Sequence, residues 1–174
     1  AEALEAYSKG LEIVPGSPIA LLQRAAVHVA SLHTDAALAD LDAIGDASNE
    51  DPRAIYLRAL IARQNEQPST ALRYLRVVIQ IIPNHRDSLL QAATIHFQLN
   101  EYPQAEDYLE RLLVIDPANE QYRRMLSAVQ LAAGRLNTDM GDMVNVDIET
   151  MADPQLLALL GTAYLKHGKF ADGP

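Results

Sequence analysis

Apolar residues along this chain recur at helical spacing. In the segment Arg86–Asn119, RDSLLQAATIHFQLNEYPQAEDYLERLLVIDPAN, Leu89, Ala92, Ala93 and His96 fall at i, i+3, i+4 and i+7. After a break at Asn100-Glu101, Ala105, Leu109, Leu112 and Leu113 share one face in the same way, and Asp116-Pro117 closes the segment. The pattern predicts two amphipathic helices separated by a tight turn. A helix with a single apolar stripe cannot bury it unaided. Each helix therefore needs a partner, and the pair needs neighbouring pairs.

The rest of the chain supplies those neighbours at a fixed interval. Counting back from Pro117 in steps of 34 residues gives Pro83, Asn49 and Pro15; from Ala105 it gives Ala71, Ala37 and Ala3. From Leu109 the series is Leu75, Leu41 and Tyr7, and from Ala93 it is Ala59 and Ala25, with Ser127 and Gly161 forward. Small residues recur where helix axes must approach closely, and large apolar ones recur where the gap must be filled. Agreement in four columns at once marks a true internal repeat.

Four full repeats are expected at 18–51, 52–85, 86–119 and 120–153, preceded by a second half at 1–17 and followed by a first half at 154–174. Asp51-Pro52 and Asp153-Pro154 read as an N-cap followed by a first helical residue, and Pro68 and Pro103 stand where a helix start tolerates the missing N–H. Two places depart from the pattern. Gly45 interrupts the helix expected at 35–47, with Asn49 in the proline column. In Leu136–Thr150, LNTDMGDMVNVDIET, Asp139 holds the alanine column and Gly141 costs about 1 kcal/mol in a helix interior. Residues 136–150 are read as a short or irregular helix.

These columns resemble the tetratricopeptide repeat, a helix–turn–helix unit of this length. The segment DPQLLALLGTAYLKHGK, from Asp153, carries the small, aromatic and turn residues of its first half as Gly161, Tyr164 and Gly168. The resemblance implies an all-α fold: about ten helices in antiparallel pairs, stacked into a right-handed superhelical solenoid. It implies that the first helix of each repeat lines a concave wall. The wall-facing places then hold Arg53, Tyr56, Leu60 and Arg63; Leu90, Thr94 and Phe97; and Arg124, Ala128 and Leu131. An extended or helical peptide with apolar anchors and an acidic group suits such a wall. The Lys/Asn clamp of the family's chaperone-tail binders is absent, its places being held by Leu22, Ala26, Tyr56 and Leu60. The family also pairs Arg24 of a first helix with an acid on the second, here Asp40; Tyr74 replaces that acid in the next repeat, so Arg58 needs another partner.

Composition narrows the functional class. The formal charge of −9 opposes binding to nucleic acid or to an anionic membrane surface. No run of apolar residues reaches membrane-spanning length. With no cysteine there is no disulfide frame or thiolate metal site, which tilts the compartment towards the periplasm or envelope. His28, His33, His85, His96 and His167 lie in no HExxH or other catalytic motif, and no phosphate-binding glycine loop occurs. His28 and His96 occupy a place where the repeat usually has Tyr and are read as packing residues. Asp139, Asp142, Asp147 and Glu149 lack calcium-loop spacing and read as a solvated face.

The reading is a non-catalytic scaffold with no cofactor and no metal, binding a protein or peptide partner in its groove. The alternative is an adaptor or regulatory domain of a larger bacterial envelope, exopolysaccharide or secretion assembly. DPQLLALLGTAYLKHGKF also resembles envelope repeat lipoproteins linked to exopolysaccharide export. Helix 154–167 carries Leu157, Leu160, Tyr164 and Leu165 with no following helix to cover them. Further repeats, or self-association through the terminal helices, are expected to do so.

Overall fold

A computed structural model describes residues 2–134. The chain divides into two compact units, Ala1–Ser88 and Leu89–Pro174. The described residues hold eight α-helices and one short 3-10 helix, with no strand. The helices are α1 (Glu2–Ile13), α2 (Pro18–Ala30), α3 (Thr34–Ala43), α4 (Pro52–Gln64), α5 (Pro68–Ile81), α6 (Arg86–Gln98), α7 (Tyr102–Ile115) and α8 (Glu120–Ala132). The irregular helix expected at 136–150, the helix at 154–167 and the acidic cluster between Asp139 and Glu149 lie outside the described residues.

First helices begin at Pro18, Pro52, Arg86 and Glu120, and second helices at Thr34, Pro68 and Tyr102, each series advancing by 34 residues. The joint between the two helices of a pair is built the same way each time. Leu32, Glu66, Asn100 and Gly134, again 34 apart, adopt positive φ of 59°, 56°, 62° and 72°. At the first three, the next residue's N–H reaches back five positions, His33 to His28, Gln67 to Ala62 and Glu101 to His96, at 2.8–2.9 Å. This is the Schellman arrangement. It satisfies the helix's last carbonyls and reverses the chain within two residues.

In the first unit, α2 packs on α3 and α4 on α5, with α4 also against α2 and α3. Ala25, Ala37, Ala54 and Leu41 are completely or almost completely buried at these crossings. Ala71 and Leu75 repeat the Ala37/Leu41 pair in α5, and Ala105 and Leu109 repeat it in α7 of the second unit. Alanine lets the axes approach and leucine four residues on fills the space beside it. In α6, Leu89, Ala92, Ala93 and His96 are all buried, and in α7 Leu112 is buried and Leu113 half-buried.

At Gly45 the repeat changes. The helix ends at Ala43, Gly45 takes φ +75°, and residues 45–49 form a 3-10 turn whose Ser48 is buried and donates to the Gly45 carbonyl at 2.8 Å. Without the proline that ends the other second helices, the chain closes through this turn. Asp51 then caps α4 by accepting the Arg53 N–H at 2.8 Å.

Candidate functional site

The apolar–polar stripe of α4 carries four of the candidate residues. Arg53, Tyr56, Leu60 and Arg63 fall at i, i+3, i+7 and i+10, one face of a helix. Arg53 is exposed and held over its own helix start, its Nη2 2.7 Å from Asp51 Oδ2. The hydrogen bond from Arg53 holds the Asp51 carboxyl below the usual carboxylate range, against the effect of burial. Leu60 is half-buried and packs against the first unit's core of Leu22, Leu57 and Ile61. Arg63 is half-buried beside it.

Tyr56 is the centre of this stripe. Its ring meets His85 edge to face, centroids 5.1 Å apart at 65°. Burial first, then the nearby Asp87 charge, pushes the phenol up to about 12, with Arg63 opposing. His85 is itself fixed: its Nδ1 accepts the Ser88 N–H at 3.2 Å and lies 2.8 Å from Ser88 Oγ. Accepting from a backbone N–H assigns the ring proton of neutral His85 to Nε2. Ser88 is fully buried. In the sequence His85 stands only as one of five histidines outside any motif, and Ser88 carries no signal, because a cap made by an imidazole has no spacing signature of its own.

The candidates on α6 and α8 are placed differently. Leu90 is half-buried; Thr94 is buried, and its hydroxyl donates to the Leu90 carbonyl at 2.9 Å. Phe97 is 5% exposed and lies against Tyr102, centroids 5.8 Å apart, and Leu131 is likewise 5% exposed. Ala128 is buried. Thr94, Phe97 and Leu131 thus present almost no side chain to solvent. Arg124 is partly exposed and pairs with Glu120 at 3.0 Å, one turn back.

A second polar constellation runs along the helix joints. Arg24 Nη2 lies 2.6 Å from Asp40 Oδ1 and Nε 2.9 Å from Oδ2, a two-point fork, while Nη1 donates to Ser8 Oγ at 3.2 Å. Donating to the Asp40 carboxylate raises the Arg24 guanidinium above its ordinary value, against the effect of burial. His28 Nε2 is 4.0 Å from the same carboxylate. In the second unit His96 is buried, its Nδ1 2.6 Å from Glu101 Oε2 and its ring stacked on Tyr108 at 5.6 Å. Among the described residues, no three His, Asp or Glu side chains gather as a metal site, and no helix is long and apolar enough to cross a membrane.

Regular 34-residue joints, buried Ala/Leu columns and Schellman turns are now joined by a direct match: residues 62–129 fit the tetratricopeptide repeat family. The chain has the tetratricopeptide-repeat fold. Its fold is that of the solved MamA structure, with a TM-score of 0.66 at 14% identity, covering 95% of this chain and 87% of that one. It also matches YrrB, described as a TPR protein with an unusual peptide-binding site, with a TM-score of 0.61 at 16% identity, covering 96% of this chain and 77% of that one. In sequence it is 29% identical over 125 residues to cellulose synthase 2 operon protein C of Komagataeibacter xylinus. That alignment takes in 72% of this chain but only 9% of the relative's length.

Proposed function

We propose that this tetratricopeptide-repeat chain is a non-catalytic scaffold that receives a protein partner on the Tyr56–Leu60–Arg63 face of α4. The observation that carries the reading is the Tyr56–His85 ring pair: a half-buried aromatic, held from behind and flanked by Arg63, at the centre of a helical stripe. Aromatic and Arg anchors of this kind concentrate binding energy in protein interfaces. The partner segment would bring an apolar side chain to Leu60 and Tyr56 and a carboxylate to Arg63. In the second unit, taken by itself, Leu90 on α6 and Arg124 on α8 are proposed as partner-facing residues. The peptide-binding description of YrrB supports the class of ligand.

The cellulose-operon relative favours a setting for it, as an adaptor within a bacterial envelope assembly that handles an exopolysaccharide. Pull-down with the tagged chain from membrane and periplasmic fractions tests the face. Tyr56→Ala/Arg63→Glu is expected to lose the partner recovered by wild type while keeping its helical circular dichroism. Undiminished recovery by a folded double variant contradicts the reading. Phe97→Ala is the wrong probe, since a 5% exposed side chain reports on packing.

A further inference from the structure

Arg58 is two residues from both Tyr56 and Leu60, which turns it to the far side of α4 from the partner face. Its side chain is 16% exposed, and its described hydrogen bonds both leave from Nη2, to Asp42 Oδ1 at 3.0 Å and Ser48 Oγ at 3.2 Å. Nε is buried with no acceptor among the described residues. A guanidinium has five N–H donors, so Nη1 keeps its pair for something else. In front of it, Asp42, Gly45, Asp46, Ser48, Asn49 and Tyr74 line an open cavity of about 340 Å³. That volume lies within the range of small-molecule sites, ~300–1,000 Å³.

We propose that this cavity binds a neutral polyhydroxylated ligand, a sugar residue of a glycan. The lining decides the class. Two carboxylates face one guanidinium, so a phosphate or uronate meets net repulsion, while a simple cation meets Arg58. A vicinal diol satisfies both signs: its O–H groups donate to Asp42 and Asp46, and its oxygens accept from Arg58 Nη1 and the Asn49 amide. Tyr74 supplies a flat ring for the C–H face of a sugar, and the Arg73 guanidinium 5.6 Å from its centroid holds that ring. The cavity is open beside Gly45, where a Cβ would meet nothing within 4 Å. The cavity is independent of the partner face, and either assignment can fail alone.

Amide spectra of the ¹⁵N-labelled chain titrated with cellotriose or maltotriose test the site, with trigalacturonate and glycerol as controls. Saturable shifts at Asp46, Ser48 and Asn49 are expected with a neutral trisaccharide at millimolar concentration. Asn49→Ala, at an exposed residue, and Arg58→Gln are each expected to weaken binding about tenfold, one lost hydrogen bond to a charged or amide group. Should Arg58→Gln fail to fold, Asn49→Ala decides. The proposal is overturned by an absence of saturable shifts, by an affinity unchanged in Asn49→Ala, by trigalacturonate binding as tightly, or by glycerol reproducing the effect at equal concentration.

Discussion

Arg58 pairs with Asp42, sixteen positions behind it, whereas Arg24, its counterpart one period earlier, pairs with Asp40, sixteen positions ahead. The geometry is the same at both arginines, since Arg24 also reaches sixteen positions back, to Ser8. Ser8 and Asp42 are one period apart, as are Asp40 and Tyr74. The acid has changed sides of the arginine between one repeat and the next, and the ring left at 74 became part of a cavity wall.

The two pairs differ in burial and therefore in worth. The Asp40 side chain is 7% exposed and that of Asp42 68% exposed. Asp40→Ala leaves Arg24 poorly compensated and is expected to cost about 3 kcal/mol. Asp42→Ala is expected to cost at most about 1 kcal/mol, as for a surface pair. Replacing both partners, as Arg24→Met/Asp40→Leu, is expected to cost less than Asp40→Ala alone. Urea unfolding of the three variants checks the order; equal losses for Asp40→Ala and Asp42→Ala would contradict it.

Leu32 sits at φ +59° with its side chain largely in water. The left-handed conformation costs a residue with a Cβ roughly 1–2 kcal/mol, and the same joint at Gly134 avoids it. Leu32→Gly is expected to stabilise the chain by about 1 kcal/mol, despite the greater freedom glycine gives the unfolded state. A lowered urea midpoint would show that the Leu32 side chain contributes more than its conformation costs.

Much of this was legible beforehand. The 34-residue columns carry the spacing at which the described helices begin, and Gly45 marks where α3 stops short of the helix expected at 35–47. Those features follow from backbone geometry repeated unit by unit, so they survive in the sequence as a period. The choice Arg58 makes between two directions does not, because it depends on which neighbour offers a carboxylate. The burial of Phe97 and Thr94 was hidden for a related reason: helical spacing says which residues share a face, and not how much of that face a neighbour covers. Tyr74 in an acid column was the one available signal for the cavity, and it pointed to Arg58 without naming Asp42 or Ser48.

Tyr56 gives the candidate face a spectroscopic handle. Its phenol ionises near 12 in the folded chain against 10.0 for an unperturbed tyrosine. The folded state therefore keeps the proton longer than the unfolded state. This contribution to stability is complete below the ordinary value and is lost as pH rises from 10.0 towards about 12. Tyrosinate absorbance of wild type and Tyr56→Phe is expected to differ by one late-titrating group of the seven tyrosines. A difference spectrum that titrates at the ordinary value would place Tyr56 in water.

The most direct test of the scaffold reading is photocrosslinking with a benzophenone amino acid at position 56 or, as a control, at exposed Arg76 on α5. Position 56 is expected to give one discrete adduct in envelope fractions, lost on Arg63→Glu, while position 76 gives none. The same adducts from both positions, or an adduct from 56 that Arg63→Glu leaves unchanged, would contradict the assignment of the α4 face.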